Sequence, residues 1–273
     1  MTLIIRRDAL MMNASLSHAP CLLQGLWDFV RAGQEEVQMS LYLPACCAFL
    51  THVLLCAPFF ILDLLSRVSP TIRAWRIDPH TVPAPGPRRW LECLWRVAGR
   101  YVTVVLPVTA LLQCVLRGPG LPERAPSCHR LCVEVIACVL LFDALFFAWH
   151  FCMHRFPWLY RHVHMEHHRN KPPLALAAQD ASGWELLSLL LLALVSARLV
   201  RCHPLSEALF HLLNCWLAVE DHCGYDLPWG LNTLVPGSGL GGAPFHQAHH
   251  AKQNRNYAPY FTHWDLLFGT YQY

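Results

Sequence analysis

With 273 residues, 55% of them hydrophobic and only 14% charged, and a mean hydropathy of +0.30, the chain is too apolar for an ordinary soluble domain and belongs in a membrane. A net charge of +3 with no basic stripe interleaved with aromatics gives no case for a nucleic-acid partner. Thirteen cysteines would suggest a disulfide framework in a small secreted chain, but Cys46, Cys47, Cys56, Cys114, Cys132, Cys138, Cys152 and Cys215 lie inside apolar runs, and the lack of a CxxC pair argues against thiolate zinc or iron–sulfur sites.

The first twenty residues hold Arg6, Arg7, Asp8 and His18 without a signal-peptide core, so the first membrane helix is expected to act as the targeting signal. That span covers residues 41–65, with a bend at Pro58. Arg67, Arg73, Arg76, Arg88, Arg89, Arg96 and Arg100 follow it, against Arg6, Arg7 and Arg31 before it. This excess places the following segment in the cytosol and the amino terminus in the lumen, where the sequon at Asn13 would be open to glycosylation. Pro83, Pro85 and Pro87 make residues 80–88 an extended linker. The second span covers residues 101–116 with a kink at Pro107, and the third covers residues 131–150. Residues 186–200 and 204–219, joined by Arg201, Cys202 and His203, form a helical hairpin. Gly237, Gly239 and Gly242 match GxGxxG by letter, but without a preceding strand or a periodic helix after them a loop is expected. The expected fold is an all-α integral membrane protein, a bundle of four to five membrane helices capped by a cytosolic histidine-rich di-metal site. Its divisions are a luminal segment 1–40, two spans and a cytosolic linker 41–130, and a catalytic domain 131–273.

Nine histidines in four groups give that cap its chemistry: His150 and His154; His164, His167 and His168; His222; and His246, His249 and His250. Residues three or four apart share one helix face, so HxxxH and HxxHH each present a row of imidazoles. Nine nitrogens exceed what one tetrahedral zinc can use, whereas two metals with four or five ligands each fit the count. Imidazole alone leaves zinc, copper, iron or nickel open. Pro157 stops the third span beyond His154, and residues 159–169 form a short helix exposing His164, His167 and His168 on one face until Pro172 and Pro173 end it. Glu166 is read as solvated surface, and Asp143, deep in the third span, either orients a ligand histidine or pairs with a neighbouring helix. His211 is read as a buried packing or pocket residue, and His162, His263 and Asp226 as lying outside the metal's immediate ligands. Phe146, Phe147, Trp184 and Trp216 are candidate pocket walls or core residues. Gathering of the donors at one side argues against a divalent-metal transporter, which would string them through the bilayer.

Trp149-His150 through His154, Pro157-Trp158-Leu159-Tyr160-Arg161 and His164-x-x-His167-His168 resemble the histidine-box core of the membrane fatty acid hydroxylase/sterol desaturase superfamily. Ala175-Leu176-Ala177, Trp184-Glu185-Leu186, Glu220-Asp221-His222 and residues 258–265 resemble its cholesterol 25-hydroxylase branch. The third box reads His222-Cys223-Gly224-Tyr225 where the branch has serine, Arg169–Pro173 replaces a small polar run, and Asp180 stands where an aromatic residue follows Gln179. The resemblance implies a di-iron centre held by the nine histidines, O2 as co-substrate, and cholesterol as the substrate entering from membrane lipid. It further implies electrons from NADPH delivered by a cytochrome b5-type or reductase partner at the endoplasmic reticulum. A sterol C-4 methyl oxidase or desaturase of the superfamily would use the same boxes on another carbon.

Overall fold

The computed structural model describes residues 23–39, 42–80, 83–115, 120–235, 237 and 239–272. Asn13 and the arginines at positions 6 and 7 lie outside them. Within the described residues the chain is helical, and its only β-type pairings are the isolated bridges Arg76–Tyr225 and Leu240–Phe261. Helix α1 (Gln24–Met39), absent from the sequence expectation, precedes α2 (Leu43–Leu65). Then come α3 (Pro87–Arg100), continued through a π-helical turn at Tyr101–Val105 into α4 (Leu106–Val115), and α5 (Cys128–Arg155). Helices α6 (Gly183–Val200), α7 (Pro204–Asp221), α8 (Gly242–Lys252) and α9 (His263–Phe268) complete the chain.

Four continuous helical runs are long and apolar enough to cross a bilayer: Leu43–Leu65, Pro87–Val115, Cys128–Arg155 and Gly183–Val200. The second begins earlier than its hydropathy suggested because Pro87, with its fixed φ and missing N–H, suits the first position of a helix. Pro107 would clash with the carbonyl four residues back in a regular helix. The preceding π turn, in which Leu106 N–H donates to Tyr101 O, widens the backbone there. The fifth expected crossing, α7, carries Glu207, Glu220 and Asp221, and it is not among the four apolar runs.

Side-chain caps fix where the long helices start. Ser127 accepts from Arg130 N–H and Ser182 from Glu185 N–H, satisfying donors that the first helical turn leaves open. The turn between α6 and α7 has Arg201 in the left-handed region, followed by His203, whose ring accepts from Leu205 N–H ahead of Pro204. Helix α5 packs on both α6 and α7, and α7 packs on α2 and α8. Helix α1 docks at the end of the bundle formed by the start of α5 and the α6–α7 turn. Its Trp27, 1% exposed, donates to Pro122 O and meets the His203 ring edge-on. The histidine boxes lie at the other ends of α5 and α7.

Candidate metal centre

His150 and His154 occupy the last two turns of α5, four residues apart on one face. Phe156 then takes an extended conformation and Pro157 opens a new turn, so the chain reverses over the helix end. The expected short helix of residues 159–169 is not regular. A π turn at Tyr160–His164, closed by Met165 N–H donating to Tyr160 O, gives way to a tight 3-10 turn at His167–Arg169. Each residue of a 3-10 turn advances about 120° rather than 100°, which turns His167 and His168 apart. The three histidines therefore do not share one face. His164 and His168 join one group and His167 joins another.

Gly224, at φ +79°, turns the chain away immediately after His222, and a residue with a side chain would be strained in that left-handed conformation. Residues 237 and 239–241 are the non-helical approach expected to deliver the last box, and the box itself stands on α8. His246 and His250 face one group while His249 faces the other. Gly242, at φ +63°, starts this helix so close to Asn232 that an added Cβ would lie 2.7 Å from the asparagine side chain.

All nine histidines meet in two groups. His150, His154, His164, His168 and His249 form the first, and His167, His222, His246 and His250 the second, with the ligand atoms of each within 4.8 Å of one another. Neighbouring Nε2 atoms are 2.9 Å apart for His150–His164 and His164–His168, and 3.2 Å for His154–His168 and His168–His249. In the second group the separations are 3.1 Å for His167–His222 and 3.0 Å for both His222–His246 and His246–His250.

These contacts are not ordinary hydrogen bonds. His150 Nδ1 lies 2.6 Å from Tyr257 O, an acceptor, so the ring's proton is on Nδ1. His164 Nδ1 lies 2.9 Å from a Glu185 carboxylate oxygen. His249 Nδ1 likewise donates to Arg255 O, so His150 and His249 each aim an Nε2 lone pair into the group, and His168 Nε2, which carries at most one proton, has the Nε2 atoms of His154, His164 and His249 within 3.2 Å; a shared cation satisfies this convergence and neutral rings alone do not. Nitrogens about 3.0 Å apart, each about 2.1 Å from one ion, subtend roughly 90° at it, as neighbouring corners of an octahedron do; tetrahedral neighbours would stand ~3.4 Å apart. The donor set thus fits two metal ions.

Burial depresses the proton affinity of these rings. His222 and His249 are lowered to about 4, and His164, His167, His168, His246 and His250 fall well below the ordinary histidine value through burial first and neighbouring imidazoles second. At neutral pH all seven are uncharged donors.

Several partners that orient the rings were not legible in the sequence. Glu185, 1% exposed, reaches His164 from the first turn of α6, while Arg255 O and Ala218 O accept from His249 Nδ1 and His222 Nδ1. Asp265 accepts from Tyr257 N–H and Ala258 N–H, fixing the turn that presents Tyr257 O to His150. The Ser182-x-x-Glu185 spacing marks a helix start, but nothing in it points to a histidine twenty-one residues upstream.

Asp143 touches no histidine. Its carboxylate accepts from Tyr260 N–H and Phe261 N–H, holding the segment after Tyr257. Glu166 pairs with Arg100 and Arg169 at the surface. His162, stacked on Trp158, His263 and Asp226 are exposed and outside both groups. His211 is not the buried residue expected. Its ring is 39% exposed beside Glu207, because α7 turns that face away from the core. Of the aromatic candidates, Phe146 lies 5.1 Å from the His150 ring, Phe147 belongs to a separate cluster with Trp264 and Phe268, Trp216 packs on Phe59, and Trp184 is 69% exposed.

Two departures from the branch pattern contact each other. Asn170, after the second box, donates to Asp180 Oδ2 at 2.7 Å, and Arg96 donates to the same carboxylate at 2.6 Å. The unusual residues form one polar lock between α3 and the segment behind the second box.

The family model described as "Fatty acid hydroxylase" matches residues 135–270. Rat cholesterol 25-hydroxylase (Rattus norvegicus) is 43% identical over 250 residues, 91% of this chain and 82% of the relative. The human enzyme (Homo sapiens) is 42% identical over 255 residues, covering 93% and 92% respectively. More distantly, a methylsterol monooxygenase of Aspergillus fumigatus is 31% identical over 236 residues, 81% of this chain and 75% of that protein. No solved structure matches the chain. The histidine boxes, the four apolar helical runs and these similarities place the chain in the fatty acid hydroxylase family, alongside the cholesterol 25-hydroxylases.

Proposed function

We propose that this chain is a di-iron, O2-dependent sterol hydroxylase that converts cholesterol to 25-hydroxycholesterol at the endoplasmic reticulum membrane. The observation that carries the metal reading is the convergence on His168 Nε2 of the Nε2 atoms of His154, His164 and His249, all within 3.2 Å, more than one ring proton can satisfy. The relatives named cholesterol 25-hydroxylase support the substrate. In this reading His150, His154, His164, His168 and His249 hold one iron and His167, His222, His246 and His250 the other.

The net reaction consumes one O2, two electrons and two protons per sterol, and yields the alcohol and one water. The irons would supply the oxidising power that an unactivated C–H bond requires. The protein's own contribution is positional. Tyr257 O, Arg255 O and Glu185 fix which nitrogen of His150, His249 and His164 is free, and burial keeps the rings neutral. The aromatic face of Phe146 beside His150 gives an apolar neighbour that suits a hydrocarbon substrate. Electrons from NADPH would arrive through a cytochrome b5-type or reductase partner.

The arginine-rich segment between residues 67 and 100 supports a cytosolic metal centre. Helix α1, docked at the far end of the bundle against Pro122 and His203, supports a luminal amino terminus with Asn13 available for glycosylation. In this topology residues 131–273 form the catalytic domain, and residues 41–130 supply two spans and the linker between them.

Incubating membranes containing the protein with cholesterol, iron and a reductant tests the assignment. The expected product is 25-hydroxycholesterol, absent with His249→Ala. Oxidation of a sterol methyl group instead would assign the chain to the chemistry named for the Aspergillus relative, and a desaturated product would overturn the hydroxylase assignment.

A further inference from the structure

Three of the four rings of the second group lack a hydrogen bond at the far nitrogen: within the described residues, Nδ1 of His167, His246 and His250 meets no partner, as is also true of His168 in the first group, so these rings depend on where their backbones are placed. The backbone around the second group is tied to a segment remote in sequence, the short stretch between the first two spans. Ile77 N–H donates to Gly224 O at 3.2 Å, and Asp226 N–H donates to Trp75 O at 2.8 Å, a two-bond ladder on the turn that follows His222. Tyr225 in that turn donates its hydroxyl proton to Asp63 at the end of α2, 2.7 Å away. Arg76 and Trp90 Nε1 share the same carboxylate. Asp78 accepts from Gln247 Nε2 at 2.6 Å, and Gln247 follows His246 directly on α8.

We propose that residues 75–78, with Asp63, are positioning residues for the second metal position: they clamp the His222–Tyr225 turn and the helix carrying His246 and His250 in register. Tyr257, Glu185 and Arg255, which hold Nδ1 of His150, His164 and His249 in the first group, lie outside this clamp. The inference rests on the two-metal reading above. It assigns to a segment outside the matched family region, residues 135–270, the occupancy of half of the centre.

Metal content per chain of the purified, detergent-solubilised full-length protein tests it, measured by elemental analysis after loading with ferrous iron and gel filtration. Wild type is expected to retain about two ions, consistent with its nine donors. Asp78→Ala combined with Tyr225→Phe is expected to bring this down to about one, with an unchanged elution volume. Asp78→Asn, which keeps an acceptor oxygen for Gln247, is expected to restore the content when it replaces Asp78→Ala in the pair. Retention of both ions by the double variant, or their loss together from a protein that still elutes as wild type, overturns the clamp. A double variant that does not elute as wild type passes the decision to the single variants, which must lower content in the same direction. Wild-type protein that holds no second ion overturns the two-metal reading itself.

Discussion

The two donor groups share α8 and the second box, yet they are built on different principles. The first has three of its five rings oriented individually, His150 by Tyr257 O, His164 by Glu185 and His249 by Arg255 O, while His168 Nδ1 has no partner. The second has one such bond to a ring nitrogen, His222 to Ala218 O, and otherwise relies on where its backbones sit. A hydrogen bond to the far ring nitrogen fixes both tautomer and rotation, and its loss typically costs about 10- to 100-fold in metal affinity. A backbone clamp spreads the same task over several weaker contacts. The comparison teaches that the first position is preorganised locally while the second depends on the packing of distant segments.

The comparison breaks most sharply at the rings themselves. His164→Ala or His250→Ala should each reduce sterol oxidation to background, and iron analysis should show the first variant losing the His150-side ion and the second the His222-side ion. Glu185→Gln, which removes the buried carboxylate from His164, should weaken the first position about 10- to 100-fold in an iron titration and leave the second near its wild-type affinity. Asp143→Ala removes the one carboxylate oxygen that accepts from both Tyr260 N–H and Phe261 N–H. It should lower stability by about 2 kcal/mol, read as a lower Tm, with both ions bound at saturating iron. The smallest effect is expected at the Arg96–Asp180 lock: Asp180→Asn should lower Tm by a few degrees and leave iron affinity unchanged, since neither residue touches a box.

Acid should destabilise the metal-free protein and the loaded one alike. His222 and His249 are held near pH 4 in the fold, against 6.5 for an ordinary histidine. Between these values the unfolded chain binds protons that the folded rings refuse, so metal-free stability falls as pH drops from 6.5 toward 4. Bound metal adds stability in this range without removing the slope, because the folded rings are unprotonated in either form. Thermal melts with and without iron at pH 7.5 and 5.5 should therefore show both samples losing stability at the lower pH, the loaded one from the higher Tm.

The membrane helices and the membership of the histidine cluster were legible because both depend on short-range pattern: apolar runs of bilayer length, and imidazoles three or four residues apart. The split between the groups was not. His167 and His168 are adjacent in sequence, as are His249 and His250, and neighbours point about 100–120° apart on a helix, so which imidazole joins which group is set by how the segments pack. Glu185 and the carbonyls of Tyr257 and Arg255 were invisible for a different reason, since a backbone acceptor has no sequence signature and a carboxylate's partner is set by tertiary packing. Helix α1 was passed over because no apolar run announces it; Trp27 is buried by docking on Pro122 and His203. A helix directly after Gly237, Gly239 and Gly242 was not expected because glycines dominate its approach, whereas Gly242 in the left-handed region starts α8.

The most direct measurement is iron content per chain against time of exposure to a chelator, followed anaerobically in the purified protein. The account predicts about two irons leaving in two phases, with the faster phase missing in His246→Ala because that phase reports the clamped, less preorganised position. A single iron, or two irons lost in one phase that His246→Ala leaves intact, would contradict it.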